Sequence, residues 1–130
     1  GSVAVADLNR DNFPDLVAGG IDENNNYFSD VYLGTGKGTF VAQNTNLPPL
    51  AFSRVSTPDF NADGYADIAI SGISRTNVRT TKIYRNNLGA AFLPISSAFS
   101  NIDNGGIAWG DVNNDGFADV FFCGRTGGAS

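Results

Sequence analysis

Asp7-Leu8-Asn9-Arg10-Asp11-Asn12-Phe13-Pro14-Asp15 returns as Asp59-Phe60-Asn61-Ala62-Asp63-Gly64-Tyr65-Ala66-Asp67, and again as Asp111-Val112-Asn113-Asn114-Asp115-Gly116-Phe117-Ala118-Asp119. The first aspartates fall at 7, 59 and 111, so the period is 52 residues each time. A fixed period of this length marks a repeat architecture and decides the fold before any local reading does. Nine of the 13 acidic residues of the 130-residue chain lie in these three segments.

The repeats align without a gap as 1–52, 53–104 and 105–130, the third stopping at half length. Each opens on a short apolar stretch: Val3-Ala4-Val5-Ala6, Val55-Ser56-Thr57-Pro58 and Ile107-Ala108-Trp109-Gly110. A second follows the acidic segment, as Leu16-Val17-Ala18, Ile68-Ala69-Ile70 and Val120-Phe121-Phe122, each running to a glycine at matching position, Gly20, Gly72 and Gly124. Such runs are too short for helices, lie between turn signals and favour β-branched and aromatic residues. The second runs do not alternate apolar with polar, which predicts burial on both faces. Two further strands complete a repeat: Val31-Tyr32-Leu33 matches Ile83-Tyr84-Arg85, and Phe40-Val41 matches Phe92-Leu93. The turn residues 34–38 and 86–90 lie between them. The expected fold class is all-β: four-stranded antiparallel β-propeller blades, about two and a half of them in one propeller segment over 1–130. A β-solenoid repeats over fewer residues, and a sandwich leaves the gapless period unexplained.

Two and a half blades do not close a ring, since propellers need about four to eight. Residues 1–130 are therefore expected to be a segment of a longer propeller, its remaining blades supplied by flanking chain, with a swapped oligomer as the alternative. Gly1-Ser2-Val3-Ala4-Val5 leads straight into the first repeat, which reads as a mature fragment or a piece of something longer. Trp109, Phe121 and Phe122 are expected on an open blade face.

Composition narrows function. The net charge of −5 and the absence of a basic stripe argue against a nucleic-acid partner. No apolar run approaches the ~20 residues of a membrane span. With no histidine and one cysteine, Cys123, an internal disulfide and a Cys/His zinc site are excluded. Cys123 stands where the other repeats have Gly19 and Ser71, which reads as a small buried position, or alternatively as a reactive thiol.

Oxygen-bearing side chains at positions 1, 3, 5 and 9 of each segment describe a socket for a hard cation. Glycine at position 6 (Gly64, Gly116) permits a left-handed turn, and Asn12 is the residue that best replaces it there. The carbonyl of position 7 is the natural fifth ligand, with its aromatic ring turned the other way to anchor the loop in the core. The candidate metal ligands are thus Asp7, Asn9, Asp11, Phe13 and Asp15; Asp59, Asn61, Asp63, Tyr65 and Asp67; and Asp111, Asn113, Asp115, Phe117 and Asp119. Three carboxylates and an asparagine suit Ca2+ over magnesium, about three ions in all, one per loop. Three dications would take the formal charge from −5 to about +1. The alternative is that these are turn residues capped by their own side chains.

Residues 1–16, together with 59–67 and 111–119, strongly resemble the FG-GAP repeat of integrin α-subunits, also called the VCBS repeat in microbial proteins. The resemblance covers essentially the whole chain. It implies a β-propeller, usually seven-bladed, with calcium in the hairpin between strands 1 and 2 of a blade. It also implies secreted or cell-surface, hence extracellular, proteins that adhere to protein or carbohydrate ligands. Repeat 1 departs from the pattern at Arg10 and Asn12, and the Phe-Gly and Gly-Ala-Pro signatures are not intact.

Strand parity puts the cation loops at the same end of the blade as the turns 34–38 and 86–90. The opposite end carries 21–30, 73–82 and the connectors 43–54 and 95–106, longer and more variable, as recognition surfaces tend to be. There the run Asp22–Phe28 and Arg75 with Arg79 would form a ligand rim, or pair with each other across the blade boundary. No histidine base and no partnered nucleophile are present, so no catalytic residue is assigned. Asp22, Glu23, Asp30 and Asp103 are the only acids left for glycosidase chemistry. Three readings follow: a calcium-binding recognition module, an architectural spacer, and part of a propeller-fold polysaccharide lyase or hydrolase.

Overall fold

The computed structural model describes residues 1–95 and 99–127. Part of the 95–106 connector and the last three residues of the third repeat lie outside them. Blade 1 is the sheet β1 (Ser2–Ala6), β2 (Asp15–Ile21), β3 (Tyr27–Gly34) and β4 (Phe40–Gln43), paired in that order. Blade 2 repeats it as β5 (Ala51–Ser56), β6 (Ile68–Ile73), β7 (Arg79–Asn86) and β8 (Phe92–Pro94), again in chain order. The described part of the third blade is β9 (Asp103–Gly110) paired with β10 (Asp119–Arg125). Every pairing is antiparallel, and the registers superimpose at the 52-residue offset: Ala6 faces Asp15 as Gly110 faces Asp119. The described residues contain no helix, and these all-β meanders are propeller blades.

The core lies between blades rather than within one. Leu8, Val17 and Val31 of blade 1 meet Leu47 and Leu50 of the connector and Val55, Ile68, Ile70 and Tyr84 of blade 2 in a single cluster. β6 is buried at all six positions, as expected for a strand covered on both faces. β10 is not: Phe121 is 50% exposed and the lone cysteine, Cys123, is exposed, where the sequence favoured a buried residue. The reason is that no further sheet lies against this face among the described residues. Trp109 also departs from expectation. Its indole is partly buried at the blade 2–3 boundary and donates to Ser56 Oγ at 3.0 Å.

The first strand of blade 2 was placed from Val55 to Pro58, but it begins earlier, at Ala51, and ends at Ser56. The cause is a β-bulge that the periodicity does not register. Pairing shifts between Ala51 and Arg54, where Phe52 adopts φ 46°, and the same irregularity recurs at Asn104, φ 51°. The matched glycines face these bulges, one residue before the end of their strands. A Cβ on Gly72 would stand 2.8 Å from the Ala51 carbonyl oxygen, and one on Gly124 would stand 3.0 Å from that of Asp103. Their role is close approach of backbone to backbone.

Blades 2 and 3 are joined by a buried charge. Asp103 is fully buried and accepts two hydrogen bonds from Arg125, at 3.0 and 2.9 Å, with Arg79 Nε 3.3 Å away. The Arg125 bonds first, with the Arg79 guanidinium adding to them, hold the Asp103 carboxyl below its ordinary value of 3.8 against the cost of burial. A depressed pKa contributes stability that is present above 3.8 and lost as pH falls through the lower, folded-state value. Asp103→Asn should therefore cost about 1–3 kcal/mol at neutral pH. Urea melts at descending pH should show the gap from the unmodified protein closing at the acid end. A gap that stays constant with pH would contradict this assignment.

Candidate metal centre

The three acidic segments form three copies of one curled loop. Position 1 caps it: Asp7 Oδ1 and Oδ2 accept from the amides of Asp11 and Asn12, at 3.1 and 2.8 Å. Position 3 turns inward, Asn9 Oδ1 accepting from the Asp11 amide at 3.1 Å while its Nδ2 donates to Asp11 Oδ2 at 2.9 Å. Position 5 holds position 7, Asp11 Oδ1 accepting from the Phe13 amide at 2.9 Å. Asp59, Asn61 and Asp63 repeat this wiring, and so do Asp111, Asn113 and Asp115. Positions 1, 3 and 5 are thereby gathered on one side of each loop.

Left-handed backbone makes the curl, at two positions rather than the one expected. Position 6 takes φ 69° at Asn12, 88° at Gly64 and 91° at Gly116. Position 4 takes φ 62° at Arg10, 57° at Ala62 and 61° at Asn114, although none of these is glycine. Asparagine at this position carried the signal; alanine and arginine masked it.

Position 9 closes the base of the loop. Asp15 is fully buried, and its oxygens accept from the Leu8 amide at 2.7 Å and the Gly34 amide at 2.8 Å. Asp67 does the same with Phe60 and Asn86. It thus clips the loop to the third strand of its own blade. Burial raises the Asp67 pKa to about 6, the two amide bonds opposing and the nearby Asp63 and Asp59 charges adding. Asp119 is only partly buried and accepts from the Val112 amide at 3.0 Å.

The aromatic ring of position 7 is not the core anchor the sequence suggested. Phe13 and Phe117 are 41% and 54% exposed, and Phe13 lies against Gly36 in the β3–β4 turn. In loop 1 the anchor is position 2, where Leu8 is 1% exposed and joins the inter-blade core, whereas its counterpart Val112 in loop 3 is 68% exposed. These contacts also bring the cation loops and the β3–β4 and β7–β8 turns to one end of the blades, as strand parity requires.

Does this donor set fit a divalent cation? Among the described residues both ion pairs belong to Asp103, and none involves a loop aspartate. Nine carboxylates therefore stand in three tight loops without a counter-charge, an arrangement that repels itself unless a cation is supplied. Their amide bonds leave lone pairs free, since a carboxylate accepts at about four sites. The carboxylates do not make a cage alone: among the described residues no group of three Asp, Glu, His or Cys side chains is placed to hold a metal. Asparagine and main-chain oxygens have to complete the set, as the spacing supposes.

Sequence reasoning assigned Asn86 only to a turn, yet it ties two loops together. Fully buried, it donates from Nδ2 to the Leu8 carbonyl of loop 1 at 2.7 Å and to the Ala66 carbonyl of loop 2 at 2.9 Å. Its Oδ1 accepts from the Gly89 amide at 2.8 Å. At the opposite end, the 21–30 and 73–82 loops turn out to share one tight turn. Asp22 N to Asn26 O matches Ser74 N to Val78 O, with Asn25 and Asn77 both at φ 63°. Only their side chains differ. Arg75 donates to the Asn25 carbonyl and lies 4.9 Å over the Tyr27 ring, so of the two expectations the pairing across the blade boundary holds for it.

Asn86→Ala should unsettle two loops at once. Removing three buried hydrogen bonds should lower stability by about 2–4 kcal/mol, and chemical denaturation measures it. Asn87→Ala, one residue away in the exposed turn, should stay within about 0.5 kcal/mol of the unmodified protein.

A family model described as FG-GAP-like repeat matches residues 7–70 and 59–122. Together these spans cover 7–122, that is 116 of 130 residues (122 − 7 + 1). Neither the curated proteins nor the solved structures compared with the chain gave a match.

Proposed function

Because the chain belongs to the FG-GAP-like repeat family, we propose that its three loops hold calcium and that the module is a non-catalytic recognition element of a secreted or cell-surface protein. The observation that carries the calcium reading is the set of nine uncompensated loop aspartates, in three curls of identical wiring. The holding residues would be the aspartates and asparagine of positions 1, 3, 5 and 9 with the carbonyl of position 7. The ion supplies positive charge to carboxylates that otherwise have only neutral hydrogen-bond donors. Its role is structural, since these loops close one end of each blade and lie over the inter-blade core.

The recognition reading rests on the other end of the blades. A cleft of about 280 Å³ opens there between blades 1 and 2, lined by Tyr27, Pro48, Pro49 and Leu50 on one side and Ser74, Arg75, Thr76 and Thr80 on the other. Apolar surface rimmed by hydroxyls suits a carbohydrate or a peptide ligand. Three of the four acids outside the loops are otherwise engaged: Asp22 caps its own turn, Asp30 accepts from the Tyr32 hydroxyl, and Asp103 pairs with Arg125 and Arg79. That leaves the binding reading ahead of the lyase or hydrolase alternative.

Calcium should raise the melting temperature by mass action, because the sockets exist only in the folded chain. Calorimetric titration should find about three sites. Asp63→Ala and Asp115→Ala should each remove one, and Asp22→Ala should remove none. A melting curve that excess chelator leaves unmoved, with no heat of calcium binding, would end this reading. For the ligand, a glycan array with Tyr27→Ala as control separates recognition from a spacer role.

A further inference from the structure

Arg10 belongs to loop 1 but its charge lies at loop 2. Its guanidinium carbon stands 5.2 Å from the centre of the Tyr65 ring, and its Nη1 would be 3.5 Å from a Cβ placed on Gly64. These are positions 7 and 6 of the second loop. Loop 1 is held within reach by Asn86, which binds the Leu8 carbonyl, and by the β7–β8 turn, where a Cβ on Gly89 would come within 3.0 Å of Asn9 Cα.

We propose that Arg10 is a coupling residue between the first two cation loops, a fixed positive charge from loop 1 that weakens calcium binding at loop 2. This rests on the calcium reading above. Tyr65 offers the carbonyl expected to serve as a ligand, and the Gly64 amide donates to Asp59, so the guanidinium lies against two residues that build the second socket. An incoming dication meets a resident cation there, and two like charges in one partly solvated site repel.

A contrary effect would be pre-organisation, with Arg10 stacking on Tyr65 to stiffen loop 2. The third loop decides against it. There position 6, Gly116, has no atom within 4 Å of a built Cβ, and Ala62, the Arg10 counterpart in loop 2, carries no charge to send across. Yet positions 1, 3 and 5 of loop 3 make the same hydrogen bonds as in loop 2. Asp111 accepts at 3.1 and 2.8 Å where Asp59 accepts at 3.1 and 2.9 Å, and position 5 accepts at 2.9 Å in both. Arg10 adds no order that loop 3 lacks, so its charge is what remains. The departure from the repeat pattern in loop 1 acts on site 2.

The amides of Gly64 and Gly116 report the two loops separately in a nitrogen–proton correlation spectrum of the full chain titrated with calcium. Arg10→Gln, which keeps length and loses charge, should move the Gly64 midpoint to about three- to ten-fold lower calcium at low salt, leaving Gly116 in place. The shift should shrink as salt is added. Arg10→Lys, which keeps the charge, should stay near the unmodified protein. A Gly64 midpoint unchanged in Arg10→Gln, or one that moves in step with Gly116, would overturn the coupling. If neither glycine amide responds to calcium in the unmodified protein, the calcium reading falls and takes the coupling with it.

Discussion

The carboxylate that ends each acidic segment, fully buried in the first two, is the interaction on which the loops depend. Asp15 and Asp67 each accept one amide from their own loop and one from the third strand of the blade. A carboxylate out of water is costly unless its oxygens are bonded, so the loop cannot open without leaving two amides and a charge unsatisfied. That constraint fixes the loop's base, and with it the direction in which positions 1, 3 and 5 face. It also sets the strand 1–2 register, since Asp15 and Asp119 are the first residues of their strands.

From that base outward, each blade hands something to the next. Leu8 goes into the core shared with Ile68, Ile70 and Tyr84. Asn86 binds carbonyls from two loops, and Arg10 crosses from the first to the second. Asp103 joins arginines from β7 and β10 across the following boundary. The blades are therefore coupled by polar contacts at both ends and apolar ones in the middle. Repeat proteins in which units touch only their neighbours draw stability from such nearest-neighbour terms.

Much of this was legible in the residues because the repeat itself was legible. Three aspartate segments at a constant offset gave the blade length, the strand order and the end at which the loops emerge. What escaped had local causes. The bulges at Phe52 and Asn104 leave no mark in an apolar–polar pattern, since one extra residue changes pairing without changing composition. The Phe13 ring is assigned to the core on its chemistry, but in that loop Leu8 enters the core and Phe13 lies over the β3–β4 turn. Cys123 was judged from its small counterparts Gly19 and Ser71, whose burial comes from a neighbouring sheet that β10 does not have among the described residues. Asn86 looked like any turn asparagine because its partners lie 78 and 20 residues away in sequence.

The departures from the repeat now carry more meaning than the matches. A loop that only had to turn could take any of several capping residues. Positions 1, 3 and 5 make the same hydrogen bonds in all three loops, and accepting an amide requires an oxygen but no net charge. Each aspartate accepts an amide of its own loop, but a neutral side-chain oxygen could accept most of the same bonds, and carboxylates crowded without counter-charge lower stability unless something else requires them. Arg10 sharpens the point. The chain does contain a cation near these loops, yet it lies over Tyr65 and pairs with no carboxylate. A structure that neutralised its loops from within would have used that arginine. Leaving the carboxylates open is consistent with a charge that arrives from solution.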